Sequence, residues 1–164
     1  MSKKRNKKYH PKPVNPLAFE QTVRLVKPVE EESKIKLSLD NHAAIEAFAR
    51  GAADKAHFDC LASTVDVTLL MLNNLFEGAD DLKAEVKEGW AGMVRARDRY
   101  KETEKLGLDG QAYSAMKRVC DIYDEVVNNV TGAELVGFYR ARDFAIKNGN
   151  YYKGNAADLE KLAA

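Results

Sequence analysis

The residues whose types and spacing best suit a chemical role are cations close to the N-terminus. Lysine or arginine occupies six of the first twelve positions, and the first carboxylate of the chain is Glu20. Such cations can neutralise phosphates, and the rings of Tyr9 and His10 can stack on unpaired bases. The sequence therefore predicts a site for nucleic acid or an acidic protein surface at Lys3, Lys4, Arg5, Lys7, Lys8, Tyr9 and Lys12. The alternative is a solvated tail without a dedicated partner, since a run of like charges stays hydrated.

A histidine, a cysteine and a carboxylate lie at metal-ligand spacing on one predicted helix. His57 is three residues from both Asp54 and Cys60, so each pair would share a helical face. A closed metal site needs about four ligands, and no second pair has similar spacing because no histidine lies near Cys120. We therefore expect no metal and no cofactor, and we interpret His57 as a surface or boundary residue.

Asp66 is a carboxylate between two valines in the most apolar stretch of the chain. It either faces solvent or pairs with an arginine across the bundle. Because a helix turns about 100° per residue, Asp66 does not have to share the face of Val65. We expect its side chain to face solvent.

The tetrapeptide Arg-Ala-Arg-Asp occurs twice, at 95–98 and at 140–143. The two arginines within one copy point about 200° apart on a helix, so they cannot form one clamp. We interpret the repeat as chance. A basic patch would continue from the arm onto the body only if the fold places these cations beside it: Arg95, Arg99, Lys117 and Arg118.

The common catalytic motifs are absent from this sequence. It contains no Gly-rich phosphate loop, no Gly-x-Ser-x-Gly elbow and no His-Glu-x-x-His, and its serines, histidines and cysteines form no recognisable nucleophile arrangement. We therefore expect a protein without enzymatic activity.

Charge is unevenly distributed along the 164 residues. The formal net charge is +1, but residues 1–28 carry +7 and the remainder carries −6, so a basic arm precedes an acidic body. The length suits one domain with its own core. The two cysteines lack CxxC spacing, which indicates reduced thiols and a cytoplasmic location. No apolar stretch reaches the roughly 18 residues that would predict a membrane span.

Four segments must position these residues. Residues 1–16 are predicted to be a disordered or extended arm, because prolines at 11, 13 and 16 oppose a helix. Residues 17–39 contain two stretches of alternating polarity, which indicate a short β-like segment. Residues 40–149 have helical periodicity and short loops, which predict an all-α antiparallel bundle of four to five helices. Residues 150–164 are predicted to be a frayed tail.

Polar residues mark where the predicted helices begin. Asp40 or Asn41 would cap a short first helix, and longer helices are expected at about 53–77, 81–106, 110–130 and 131–149. The caps of the last three are Asp80, Asp109 and Thr131, the last in a capping box with Glu134.

The segment at 110–130 has the clearest helical pattern. Its apolar residues are spaced 3, 4, 3, 4, 3, which is typical of a helix packed along a neighbour: Tyr113, Met116, Cys120, Tyr123, Val127 and Val130. The same seam would suit a homodimer if one bundle does not cover it.

Four stretches, in this order, carry a likeness to a known group of proteins: KKRNKKYHPKPV, HAAIEAFARGAAD, LASTVDVTLLM and GLDGQAYSAMKRVCDIYDEVVNNVTGAEL. Over most of residues 3–145 the chain resembles small proteins of bacterial phages and prophages. The resemblance implies a phage or prophage gene product in the cytoplasm of a bacterial host cell. It carries no functional residue across, because the group has no assigned activity.

Together these observations predict a non-enzymatic binding or adaptor protein of phage type. Its arm would contact nucleic acid or an acidic protein surface, while the helical body would contact a host or phage protein. The alternatives are a structural or assembly protein of a phage particle and an inhibitor of a host nucleic-acid enzyme.

Overall fold

A computed structural model describes residues 27–149, and within them the chain forms an all-α antiparallel bundle, as predicted. The five helices of this part of the chain are α1 (Glu31–Ala49), α2 (Lys55–Leu75), α3 (Asp80–Thr103), α4 (Gly110–Val127) and α5 (Gly132–Lys147). The predicted arm at 1–16, residues 17–26 and the predicted tail at 150–164 lie outside the described residues. None of the five helices is long and apolar enough to cross a membrane.

The first helix begins nine residues earlier than the sequence indicated, so the β-like interpretation is wrong for residues 31–39. Alternation places apolar side chains at 35, 37 and 39, but α1 leaves Ile35 and Leu39 exposed and turns Leu37 toward the core. The alternating pattern therefore arose from a helix and not from a strand. Ile35 and Leu39 are four positions apart, so they share one helical face, and this face is exposed. Asp40 and Asn41 are consequently interior residues of α1, not its cap.

The residues before α1 are fixed by the loop that precedes α5. Gly132 donates its N–H to the carbonyl of Lys27 at 3.0 Å, and Pro28 forms an isolated antiparallel bridge with Thr131. Val29 is buried beside them. This contact holds the entry to α1 against the start of α5.

Local capping explains where most helices begin. Asp54 accepts from the His57 N–H at 3.0 Å, and Asp109 accepts from the Ala112 N–H at 2.8 Å. The predicted capping box of Thr131 at α5 is confirmed. At α3 the prediction was wrong by one position, since Ala79 occupies the N-cap and Asp80 is the first helical residue. A carboxylate in the first turn still interacts favourably with the positive end of the helix dipole.

Helix α4 lies at the centre of the bundle and packs against α1, α2 and α3. Its seam is internal, since five of its six predicted residues are buried and Tyr113 is half-buried. The chain's own helices therefore cover the surface that was considered for a homodimer.

Helix α5 lies at the edge of the bundle. Its main neighbour is α2, and Leu135 is its one buried side chain. Phe144 remains 69% exposed near its C-terminal end. Such an outlying helix leaves room beside it, between itself and α3.

Candidate functional site

The predicted nucleic-acid site on the arm lies outside the described residues. What the structure does describe is the body that the arm precedes. Residues 27–149 contain 17 basic and 22 acidic side chains, a formal charge of −5. The predicted nucleic-acid site could therefore extend from the arm onto the body only through a local basic face on this acidic surface.

Ion pairs neutralise most of the proposed extension of the arm. Arg95 Nε and Arg99 Nη2 each lie 3.4 Å from one oxygen of Asp109, the residue that caps α4. The hydrogen bond from the Ala112 N–H lowers the pKa of Asp109 most, and the two guanidinium groups lower it further. This carboxylate therefore stays ionised. These two arginines connect the C-terminal part of α3 to the start of α4.

The other two proposed cations are on α4. Arg118 Nε lies 2.5 Å from Glu85 Oε2 on α3, and this carboxylate raises the pKa of the guanidinium. Lys117 is exposed. Three of these four cations are therefore paired with carboxylates of the bundle, and the arm that they were considered to extend lies outside the described residues.

His57 and Asp54 act together as a helix cap. His57 Nδ1 lies 2.6 Å from Asp54 Oδ1, and the two residues form a reciprocal capping box at α2. The hydrogen bond that the His57 N–H donates is the main cause of the lowered pKa of Asp54. Across residues 27–149 there is no group of three His, Cys, Asp or Glu side chains arranged to hold a metal ion.

The two cysteines are free thiols in shielded positions. Burial raises the pKa of Cys120 to about 12, and the same cause raises that of the half-buried Cys60. A thiol held in its protonated form is a poor nucleophile. Cys60 Sγ lies 3.5 Å from Asn41 Oδ1, which also accepts a hydrogen bond from Thr64 at 2.7 Å.

A depression on the described body lies between α2, α3 and α5, and we call it the lateral groove. Its volume is about 410 Å³, and apolar and aromatic side chains dominate its lining, among them Phe58, Leu69, Trp90, Met93, Val94 and Ile146. Both the size and the lining are typical of a site that takes an apolar group.

An ion pair crosses the lateral groove and corrects the expectation for Asp66. Arg142 Nε of α5 lies 3.2 Å from Asp66 Oδ2 of α2, so the carboxylate is paired across the bundle and does not simply face solvent. Burial raises the pKa of Asp66, and Arg142 opposes this effect only in part. Arg142 also lies 3.5 Å from Asp143.

The repeated Arg-Ala-Arg-Asp sequences meet at the same groove. Arg97 and Arg142 are the third residues of the two copies, and both line it. Each also pairs with the aspartate that follows it, Arg97 with Asp98 at 2.9 Å and Arg142 with Asp143. Sequence reasoning missed the groove, although a carboxylate in an apolar helix and two matching arginines were its visible signals.

Comparisons with protein families, with curated proteins and with solved structures found no match for this chain.

Proposed function

We propose that this protein is a non-enzymatic adaptor of phage type whose basic arm binds nucleic acid. The observation that carries the proposal is the separation of charge between arm and body. Residues 1–26 contain seven basic side chains and one acidic one, whereas residues 27–149 carry −5. A polyanion attracts the first segment and repels the second.

The ion pairs of the body strengthen this division. Arg95, Arg99 and Arg118 are engaged by carboxylates of their own bundle, so a phosphate would have to compete with these carboxylates. Burying a dense run of cations is costly, so we expect the cations of the arm to be available for phosphate. The arm therefore acts as a tether that holds the acidic body away from the nucleic acid, where it is accessible to a protein partner.

The test compares two variants with the same change in charge. In the arm variant glutamine replaces Lys3, Lys4, Arg5, Lys7, Lys8 and Lys12; in the control it replaces six exposed lysines of the body, Lys36, Lys55, Lys87, Lys105, Lys117 and Lys147. Fluorescence anisotropy with a single-stranded oligonucleotide, over a series of salt concentrations, measures the affinity of each.

For the wild type, log K should fall against log salt with a slope of about −4, since six phosphate contacts on a single strand release about four counterions. The control should keep this slope, and the arm variant should lose it. Equal losses in both variants would assign binding to the whole surface and contradict the proposal. Absence of binding by the wild type, or equal displacement of the oligonucleotide by polyglutamate, would reject nucleic acid as the specific partner.

A further inference from the structure

Helix α5 has fewer buried residues than any other helix within residues 27–149. Leu135 is its one buried residue, whereas the other four helices each bury between four and eight. Phe138 and Tyr139 are only partly buried where they pack on the core. Local opening costs least where the fewest apolar groups are buried. We therefore expect α5 to be the first of these helices to leave the bundle.

Three residues before α1 hold the start of α5, and we call Lys27, Pro28 and Val29 the strap. The Gly132 N–H donates to the Lys27 carbonyl at 3.0 Å, and Pro28 forms an antiparallel bridge with Thr131. Val29 is buried and belongs to the core. The strap therefore fastens the first turn of α5 to a part of the chain that lies before the whole bundle.

Two side-chain contacts fasten α5 further along its length. The hydroxyl of Tyr139 lies 2.8 Å from that of Tyr123 on α4, and Arg142 Nε lies 3.2 Å from Asp66 Oδ2 on α2. Hydrogen bonds of this kind contribute modestly to stability, because the same groups can bond to water when the helix leaves. These contacts orient α5, but they do not replace a broad buried face.

We propose that α5 opens as a unit while α1–α4 stay folded, and that the strap limits this opening. Opening uncovers the apolar surface that Leu135, Phe138 and Tyr139 cover. It also uncovers Tyr123, whose side chain is fully buried in the closed bundle. This conformational change is a property of the described body and does not depend on the proposed function of the arm.

Gly132→Pro releases the strap and keeps the start of the helix. Proline lacks the N–H that bonds to Lys27, and its ring occupies the place of that hydrogen, so the carbonyl must move away. Proline is favoured at the first helical position, which Gly132 holds. Thr131 before it has φ −83° and ψ 159°, the extended conformation that a following proline favours. Gly132→Ala keeps the N–H and is the matched control.

Native-state hydrogen exchange of the full chain, followed for each amide by NMR, measures the opening. In the wild type, amides of α5 should exchange faster than those of α4. Gly132→Pro should accelerate exchange in α5 by about twofold to tenfold, the range that loss of one hydrogen bond predicts, and should leave α4 unchanged. Exchange in Gly132→Ala should not exceed that of the wild type.

Unchanged exchange of α5 in Gly132→Pro would overturn the role of the strap, and so would an equal acceleration in Gly132→Ala. Equal acceleration of α4 and α5 would show that α5 opens only when the whole bundle unfolds, which also contradicts the proposal. Far-UV circular dichroism checks that each variant is folded. If Gly132→Pro does not fold, Val29→Ala, which shortens the buried side chain of the strap, decides by the same measurement.

Discussion

Substitution of Gly92 by alanine tests how closely α3 and α4 pack. A Cβ atom at position 92 would lie 2.7 Å from the Cβ of Ala112 and 3.0 Å from its Cα. Carbon atoms in contact normally lie about 3.5–4.0 Å apart, so the two helices would have to separate locally by about 1 Å. Because the obstructing atoms include backbone, no change of rotamer can relieve the clash.

Two opposing effects determine the magnitude. Alanine is more favourable than glycine in a helix interior by about 1 kcal/mol. Overpacking of a close interface costs about 1–3 kcal/mol. Gly92→Ala should therefore lower the free energy of unfolding by about 1 kcal/mol in total.

Gly137 provides the matched control. It is a helical glycine of α5, and a Cβ added there would meet nothing within 4 Å. Gly137→Ala should therefore raise the free energy of unfolding by up to about 1 kcal/mol, the helix-propensity gain alone. Urea denaturation followed by circular dichroism measures both variants. If Gly92→Ala proves as stabilising as Gly137→Ala, the close packing of α3 on α4 described above is refuted.

Two further predictions concern α5. Thr131→Ala should lower the free energy of unfolding by about 0.5–2 kcal/mol, because it removes the side chain that caps α5. Thr131→Ser keeps the hydroxyl and should cost less. Equal losses of stability in urea denaturation would argue against the cap. Asp66→Asn tests the half-buried carboxylate. Because the folded state raises the pKa of Asp66, the favourable contribution of this side chain is fully present below the unfolded pKa of about 3.8 and is lost as pH rises through the folded pKa. Stability measured against pH should therefore shift in favour of the asparagine variant as pH rises, and a shift in the opposite direction would show that Arg142 outweighs burial.

Features determined by neighbours in the chain could be predicted from the sequence. The cap at Asp109 and the box of Thr131 with Glu134 each depend on groups within three residues. The seam of α4 followed from its spacing, because a helix buried on one side repeats its apolar residues every three or four positions. Such signals require no knowledge of the tertiary fold.

Features that depend on distant contacts could not be predicted in this way. Asp66 and Arg142 are 76 positions apart, and their pairing requires α5 to lie against α2. The lateral groove exists because α5 packs mainly on α2 and leaves space beside α3. The start of α1 was missed for a related reason, since the exposure of Ile35 and Leu39 is a property of the assembled bundle.

The arginines of α3 show why charge in a sequence is a poor guide to a binding face. Arg95 and Arg99 could have extended the arm, yet both converge on Asp109, whose carboxylate also caps α4. Their substitution would remove a contact between two helices, so a loss of nucleic-acid binding in such a variant could not be separated from a loss of packing. Substitutions in residues 3–12 leave these contacts in place. A change of charge at residues 3–12 therefore tests binding without removing the ion pairs that connect α3 to α4.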